Sequence, residues 1–292
     1  MPGRGRHRGE APASPTTGPK LLDRVRAPRR WSARRLRAAA DRLTTVGTRD
    51  DQFWAEFLGI APVDWSMPGV SVRPHVGLSG YCGLWCFRHQ DRTVVSVPRG
   101  WVDYLETRLK GCEPDHLLEE AFLVELLGGE FERLIGPAFQ GCLDPGRFRP
   151  ASSADVRFVG PNDAAAVDQF RAECGPGGWE TGGLDEVKHH VAAYFQGERL
   201  VAMAGYRPWT DFAGDPCVLT HPGFRGRGCG NAVVSAVIEQ ALQRGQLLLY
   251  QTLEANRSAV KIALKLGYEQ YGRHVAVRLK GERPSNLPLR RA

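Results

Sequence analysis

The chain has 292 residues, 42% of them hydrophobic, which is enough for a sizeable core in one large or two ordinary domains, and it has no run of 18 uncharged apolar residues of the kind that crosses a membrane. Its net charge of +7 is concentrated at one end: eleven Lys and Arg precede Ala39 against only Glu10 and Asp23, so the first 38 residues carry +9 and the remainder −2. The basic character therefore describes a tail and gives no sign of a nucleic-acid-binding body.

Residues 1–35 are rich in Gly, Pro and Arg and read as a solvated extension. The alternative is an electrostatic arm for a polyanion, without the interleaved aromatics that a base-stacking platform needs. No apolar segment follows the early arginines, so no secretory signal is expected. A basic helix is predicted over 31–43 and an amphipathic one over 50–58, where Phe53, Trp54, Phe57 and Leu58 fall at helical spacing. Strands are predicted over 69–73, 84–88 and 93–97, then helices over 101–109 and 117–127. The Pro- and Ser-rich segment 143–153 marks a domain boundary.

Beyond it, a strand is predicted over 156–159 and a helix over 163–174, ended by Gly175, Pro176, Gly177 and Gly178. Strands over 190–195 and 199–206 form a hairpin about Gly197, and another strand covers 217–220. A helix over 231–244 closes on Gly245, and a strand follows over 247–250. A helix over 256–266 has Asn256 at its N-cap and Gly267 beyond its end. Strands over 268–271 and 275–279 complete an α/β arrangement with a mixed central sheet flanked by helices.

Seven scattered cysteines favour free thiols in a reducing cytosol, hence a cytoplasmic protein. Cys82 and Cys86 form a lone C-x3-C, short of the four ligands a zinc site needs, so no metal is expected. Leu78-Ser79-Gly80-Tyr81 lacks the second glycine of a nucleophile elbow, which argues against hydrolase chemistry.

The stretch 218–232, VLTHPGFRGRGCGNA, carries the most chemistry. A strand enters a turn containing Gly226, Gly228 and Gly230, and the turn enters a helix. Glycines let backbone amides approach a ligand closely, and a helix N-terminus attracts phosphate. Arg225 and Arg227 add full charges. A nucleotide P-loop would end in Gly-Lys-Ser/Thr, and a dinucleotide fingerprint would have a third glycine where Asn231 stands. A Gly-rich turn can also serve geometry alone.

Arg225-Gly226-Arg227-Gly228-Cys229-Gly230 resembles the R/Q-x-x-G-x-G/A signature of the GNAT superfamily of N-acetyltransferases. Thr220-His221-Pro222 is similar to the strand end before that signature. Asn256-Arg257-Ser258, continuing to Gly267-Tyr268, is similar to the family's N-x-x-S/A…G-F helix. The resemblance spans about residues 153–281 and implies the GNAT-type acyl-CoA N-acyltransferase fold. It implies that the amides of Arg225, Gly226, Arg227, Gly228, Cys229 and Gly230 hold the CoA pyrophosphate. By the same resemblance Leu219 and Thr220 pair with pantetheine along a splayed strand, and Asn256 bonds the pantetheine arm. The co-substrate is then acetyl-CoA and the partner an amine acceptor that the sequence does not identify.

Such chemistry needs a neutral amine, donors for the thioester oxyanion and stabilisation of the leaving thiolate. The Tyr that many family members place on the last helix is Ala263 here. Ser258 is the alternative proton donor, or merely part of the helix cap. Glu180, Asp215 and His221 are considered for the base, with Glu180 and Asp215 carried forward and His221 read as structural.

The organisation expected is a basic tail (1–35), a second α/β domain (36–150) that is either an accessory unit or a degenerate GNAT-like repeat, a GNAT domain (153–281) and a short tail (282–292). The function expected is transfer of acetyl from acetyl-CoA to a primary amine of a small molecule, peptide or protein, by direct attack in a ternary complex. The alternative is a non-catalytic acyl-CoA-binding regulator. No membrane partner is expected, and nucleic acid only through contacts of the tail.

Overall fold

Thr48 and Asp51 start the first described helix. Each side chain accepts the other's backbone N–H, at 3.2 and 2.8 Å, in a reciprocal cap. Helix α1 (Arg49–Leu58) ends on Gly59 at φ 72°, a backbone angle that favours glycine, and it buries Phe53, Trp54, Phe57 and Leu58. The computed structural model describes residues 48–187 and 190–285; the tail 1–35 and the basic helix expected over 31–43 lie outside the described residues.

Strands β1 (Gly69–Pro74), β2 (Gly83–His89) and β3 (Arg92–Val97) follow, close to the predicted spans. Helices α2 (Val102–Arg108) and α3 (Glu120–Leu127) come next. Strand β4 (Phe131–Cys142) was not predicted. Gly136-Pro137 interrupts its pattern with a turn-like dipeptide, and the ladder to the last strand shifts register there.

The second half runs β5 (Val156–Phe158), α4 (Ala164–Gly182), β6 (Ala192–Gln196), β7 (Arg199–Pro208) and β8 (Ala213–Thr220). It continues with α5 (Cys229–Gln243), β9 (Leu247–Leu253), α6 (Arg257–Leu266) and β10 (Glu269–Leu279). Two expectations are corrected. The helix predicted to stop at Gly175 only kinks there, at φ 71° and ψ 165°, because Pro176 can open a new helical turn. The two terminal strands are a single one, β10, which passes through Gly272. A Cβ at that position would lie 2.7 Å from Arg88 O and 2.9 Å from Phe87 Cζ.

All ten strands form one mixed sheet in the order β1-β3-β2-β10-β4-β9-β8-β7-β6-β5. Strand β4, from the first half of the sequence, lies antiparallel between β9 and β10, and β10 lies antiparallel to β2. The parity of the buried residues fixes the layers. Leu247, Leu249, Ala276 and Trp85 face α1, whereas Leu248 and Tyr250 face α5 and α6, and Val275 and Val277 face α2 and α3. Helix α4 covers Cys217 and Leu219 on the α1 side. No described helix is long and apolar enough to cross a membrane.

Candidate active site

The site begins where β8 leaves β9. These parallel neighbours pair only at Ala213↔Leu247 and Gly214↔Leu248. Pro216 comes next but one and has no N–H to give, while pairing to β7 runs unbroken from Gly214 to Thr220. From Asp215 onward the strands part, and a wedge opens toward Thr220 on one side and Leu253 on the other.

At the end of β8 a short 3-10 turn (Pro222–Phe224) leads to Arg225, Gly226, Arg227 and Gly228, all exposed, and then into α5. Gly226 and Gly228 have φ of 78° and 86°, and a Cβ on either would meet nothing within 4 Å. Open space thus lies beside both Cα atoms, which leaves the turn accessible to a ligand as a phosphate cradle requires. Gly230 has a different reason for being glycine. Its Cβ would lie 2.8 Å from Thr220 Oγ1 and 3.4 Å from Ile262 Cδ1, so the missing side chain lets α5 settle against both β8 and α6. Cys229, the first residue of α5, is buried. The 15-residue helix directs its N-terminal partial charge at the turn.

Asn256 caps α6 by accepting the Ala259 N–H at 3.3 Å. Ser258 is exposed in the first turn, one helical turn before Ile262 and therefore on the face that meets Gly230. Ala263 is fully buried. Tyr268 is 2% exposed and stands edge-on to Tyr250 at 5.2 Å, a core aromatic whose hydroxyl burial pushes well above its usual pKa.

Glu180 lies, exposed, on the second half of α4, where the sequence suggested a loop. That half of α4 touches the strand: a Cβ on Gly182 would sit 3.0 Å from Leu219 Cβ. Gly178, one turn earlier, faces Leu219 as well, so Glu180, midway between the two glycines, projects from the opposite, solvent side of the helix. Asp215 is 1% exposed and fully engaged. It accepts from Arg207 Nε at 3.0 Å, Arg207 Nη2 at 2.8 Å and Trp209 Nε1 at 2.9 Å. The fold brings Leu219, Thr220, the Arg225–Gly230 run and the start of α6 to one end of the wedge, and puts Asp215 at its closed end.

Sequence reading missed Glu173 and Arg199. Glu173 lies on the first half of α4, 3.4 Å from His221 Nε2 and 3.0 Å from Arg199 Nη2. The hydrogen bonds from Gln169 and Arg199, and then the charges of Arg199 and His221, hold its carboxyl below the usual range. Only the i,i+4 pair Gln169/Glu173 is visible in sequence, and it looks like ordinary helix-surface pairing. Among the described residues no group of three or more His, Cys, Asp or Glu is placed to hold a metal.

Residues 164–268 match the family model described as the acetyltransferase (GNAT) family. No curated protein matches the chain. Among solved structures, it is similar to an acetyltransferase from the GNAT family of Colwellia psychrerythraea, with 17% identity and a TM-score of 0.43, over 54% of this chain and 61% of that one. A GCN5-related N-acetyltransferase from Kribbella flavida shows 18% identity and a TM-score of 0.39, over 55% of this chain and 64% of that one. The structure of yncA from Salmonella typhimurium, solved with its cofactor acetyl-CoA, shows 16% identity and a TM-score of 0.32, over 44% of this chain and 96% of that one. The matches to the Colwellia and Kribbella proteins thus span less than two thirds of those chains.

Proposed function

We infer from the GNAT-family domain at residues 164–268 that the chain is an acetyl-CoA-dependent N-acetyltransferase acting on a primary amine. The observation that carries this reading is the wedge between β8 and β9 with the exposed Gly226–Gly228 turn at its tip. A parted strand offers backbone groups to an extended amide chain such as pantetheine, and the turn offers amides to its pyrophosphate. In this reading the amides of Arg225 to Gly230 hold the pyrophosphate. Leu219 and Thr220 pair with the pantetheine, and Asn256 contacts it beside the helix cap. Backbone N–H groups of β8 stabilise the thioester oxyanion.

A neutral amine held at the wedge attacks the thioester carbonyl. The C–N bond forms as the C–S bond breaks, the amine proton leaves to a base and the thiolate takes a proton. Ser258 is assigned the second proton transfer because it lies on the α6 face that meets the turn. Glu180 is assigned the first, through water, because it is an exposed carboxylate on the half of α4 that packs on β8. Asp215 acts through Arg207 and Trp209, holding the β7–β8 hairpin and the closed end of the wedge in place. The second reading, a non-catalytic acyl-CoA-binding regulator, is favoured by one observation: the helix position where relatives carry a proton-donating Tyr is the buried Ala263.

Calorimetry with acetyl-CoA tests the cofactor site. Micromolar binding to the wild type, lost in a folded Gly228→Glu variant, is the expected outcome; a folded wild type that binds none removes the enzyme reading. Turnover with a panel of primary amines separates the two readings, since a regulator binds acetyl-CoA and acetylates nothing.

A further inference from the structure

One polar cluster behind the phosphate turn is not used by the chemistry above. His221 is the first residue after β8, and its backbone N–H donates to Val201 O at 2.9 Å. Its imidazole Nδ1 accepts the Gly223 N–H at 3.1 Å. That acceptance places the proton of the neutral ring on Nε2, which lies 3.4 Å from Glu173 Oε2. The same oxygen takes Arg199 Nη2 at 3.0 Å, and Glu173 Oε1 takes Gln169 Nε2 at 2.9 Å. The ring of Phe224 stands edge-on to His221 at 5.5 Å. It is clasped by the guanidinium of Arg199, 5.2 Å from its centroid, and by that of Arg227, at 5.1 Å.

A turn that cradles phosphate binds best when its amides are aimed before the ligand arrives, because ordering them on binding costs affinity. Residues 225–228 are held largely from the residues before them. Gly226 and Gly228 have no side chains, Arg225 Nε donates back to Thr220 O at 3.4 Å, and Arg227 lies over the Phe224 ring. Order thus enters from residues 220–224, where the side-chain acceptor for a turn amide is His221 Nδ1. Its other ring nitrogen reaches α4, the helix whose far half carries Glu180.

We propose that His221 is a positioning residue for acetyl-CoA. By accepting the Gly223 N–H its ring locks the entry of the phosphate turn, and Glu173, facing Nε2, holds the ring in the tautomer that accepts there. The inference rests on the acetyl-CoA reading of the site.

The test uses the full chain with His221→Asn, His221→Gln and His221→Ala. Asn places an acceptor for the N–H two residues on, in place of Nδ1, but falls short of Glu173. Gln reaches toward Glu173 but is too long for that local turn. The measurements are the Kd for acetyl-CoA, hydrogen-exchange protection of the Gly223 amide, and Tm. Asn is expected to stay within about twofold of wild type, while Gln and Ala weaken binding about fivefold, as one net hydrogen bond implies. Gly223 protection should fall in those same two variants, with Asn and Gln melting alike. Equal Kd for Asn and Gln, or a Kd that follows Tm and not Gly223 protection, would overturn the proposal. A wild type that binds acetyl-CoA no better than all three variants overturns it alone. A wild type that binds none overturns the acetyltransferase reading, and this inference with it.

Discussion

Two carboxylates near β8 differ in environment, and the difference predicts different variants. Asp215 is buried and accepts three hydrogen bonds from Arg207 and Trp209. Removing its charge takes these three bonds from Trp209 and from the guanidinium of Arg207, which is only 16% exposed. Breaking a pair of this kind costs about 3–5 kcal/mol. Asp215→Ala should therefore lower the unfolding free energy by several kcal/mol and lose activity with it. Glu180 is exposed, so Glu180→Gln should leave chemical denaturation unchanged and lower kcat alone. Unchanged stability in Asp215→Ala would refute the anchoring role. His274 gives a separate residue-scale prediction. It is fully buried, stacked on Trp85 at 4.5 Å, and burial lowers its pKa from 6.5 to about 3. The unfolded chain thus binds a proton between pH 6.5 and 3 that the folded chain does not, so stability rises with pH across that window. The slope contributed is at most about 1.4 kcal/mol per pH unit. Denaturation of wild type and His274→Gln between pH 4 and 7 checks this, since the variant should show the shallower slope.

At the scale of elements, α6 joins stability to the proposed cofactor site. Asn256 Oδ1 satisfies the Ala259 N–H, and the helix closes on Gly267 at φ 99°. Asn256→Ala should cost about 1 kcal/mol by loss of the cap. Asn256→Asp keeps an acceptor there, so it should melt near wild type while binding acetyl-CoA more weakly, having lost the amide donor and gained a charge. Equal affinity in Asp and wild type would reduce Asn256 to a cap. Both ends of this helix were legible in sequence because capping is local chemistry. The turn at 225–230 was legible for the same reason, since glycine spacing, flanking arginines and a following helix are all written in neighbouring residues. What was not legible depends on distant pairing. The parting of β8 from β9 left only Pro216 as a local trace. Glu173 and Arg199 look like ordinary surface charges until the fold brings them to His221. The kink at Gly175 read as a helix end because Gly-Pro is a stop signal unless packing on the far side restarts the helix, as Gly178 and Gly182 do against Leu219.

At the scale of the whole molecule, β4 decides how the two halves depend on each other. It pairs with β9 from Ala138↔Leu253 to Cys142↔Leu249 and with β10 along most of its length. A fragment of residues 153–285 would retain the motifs of the phosphate turn and of α6. It would also leave β9 and β10 with facing unpaired edges and uncover the apolar residues that β4 and α1 bury, among them Leu247, Leu249 and Ala276. Unpaired strand edges recruit other chains, and a strand as long as β4 cannot be replaced by water without losing its ladder. The fragment should be aggregation-prone or melt without cooperativity, whereas residues 48–285 should unfold in one transition. Supplying a peptide of residues 129–144 to the fragment should recover part of the cooperative melt, because the missing element is a strand and strands add by backbone pairing. Size exclusion and calorimetric melts of the three samples decide it. A cooperative monomeric fragment without the peptide would show that the wedge and its turn need nothing from the first half, and the mixed sheet would then be two units abutting along β4.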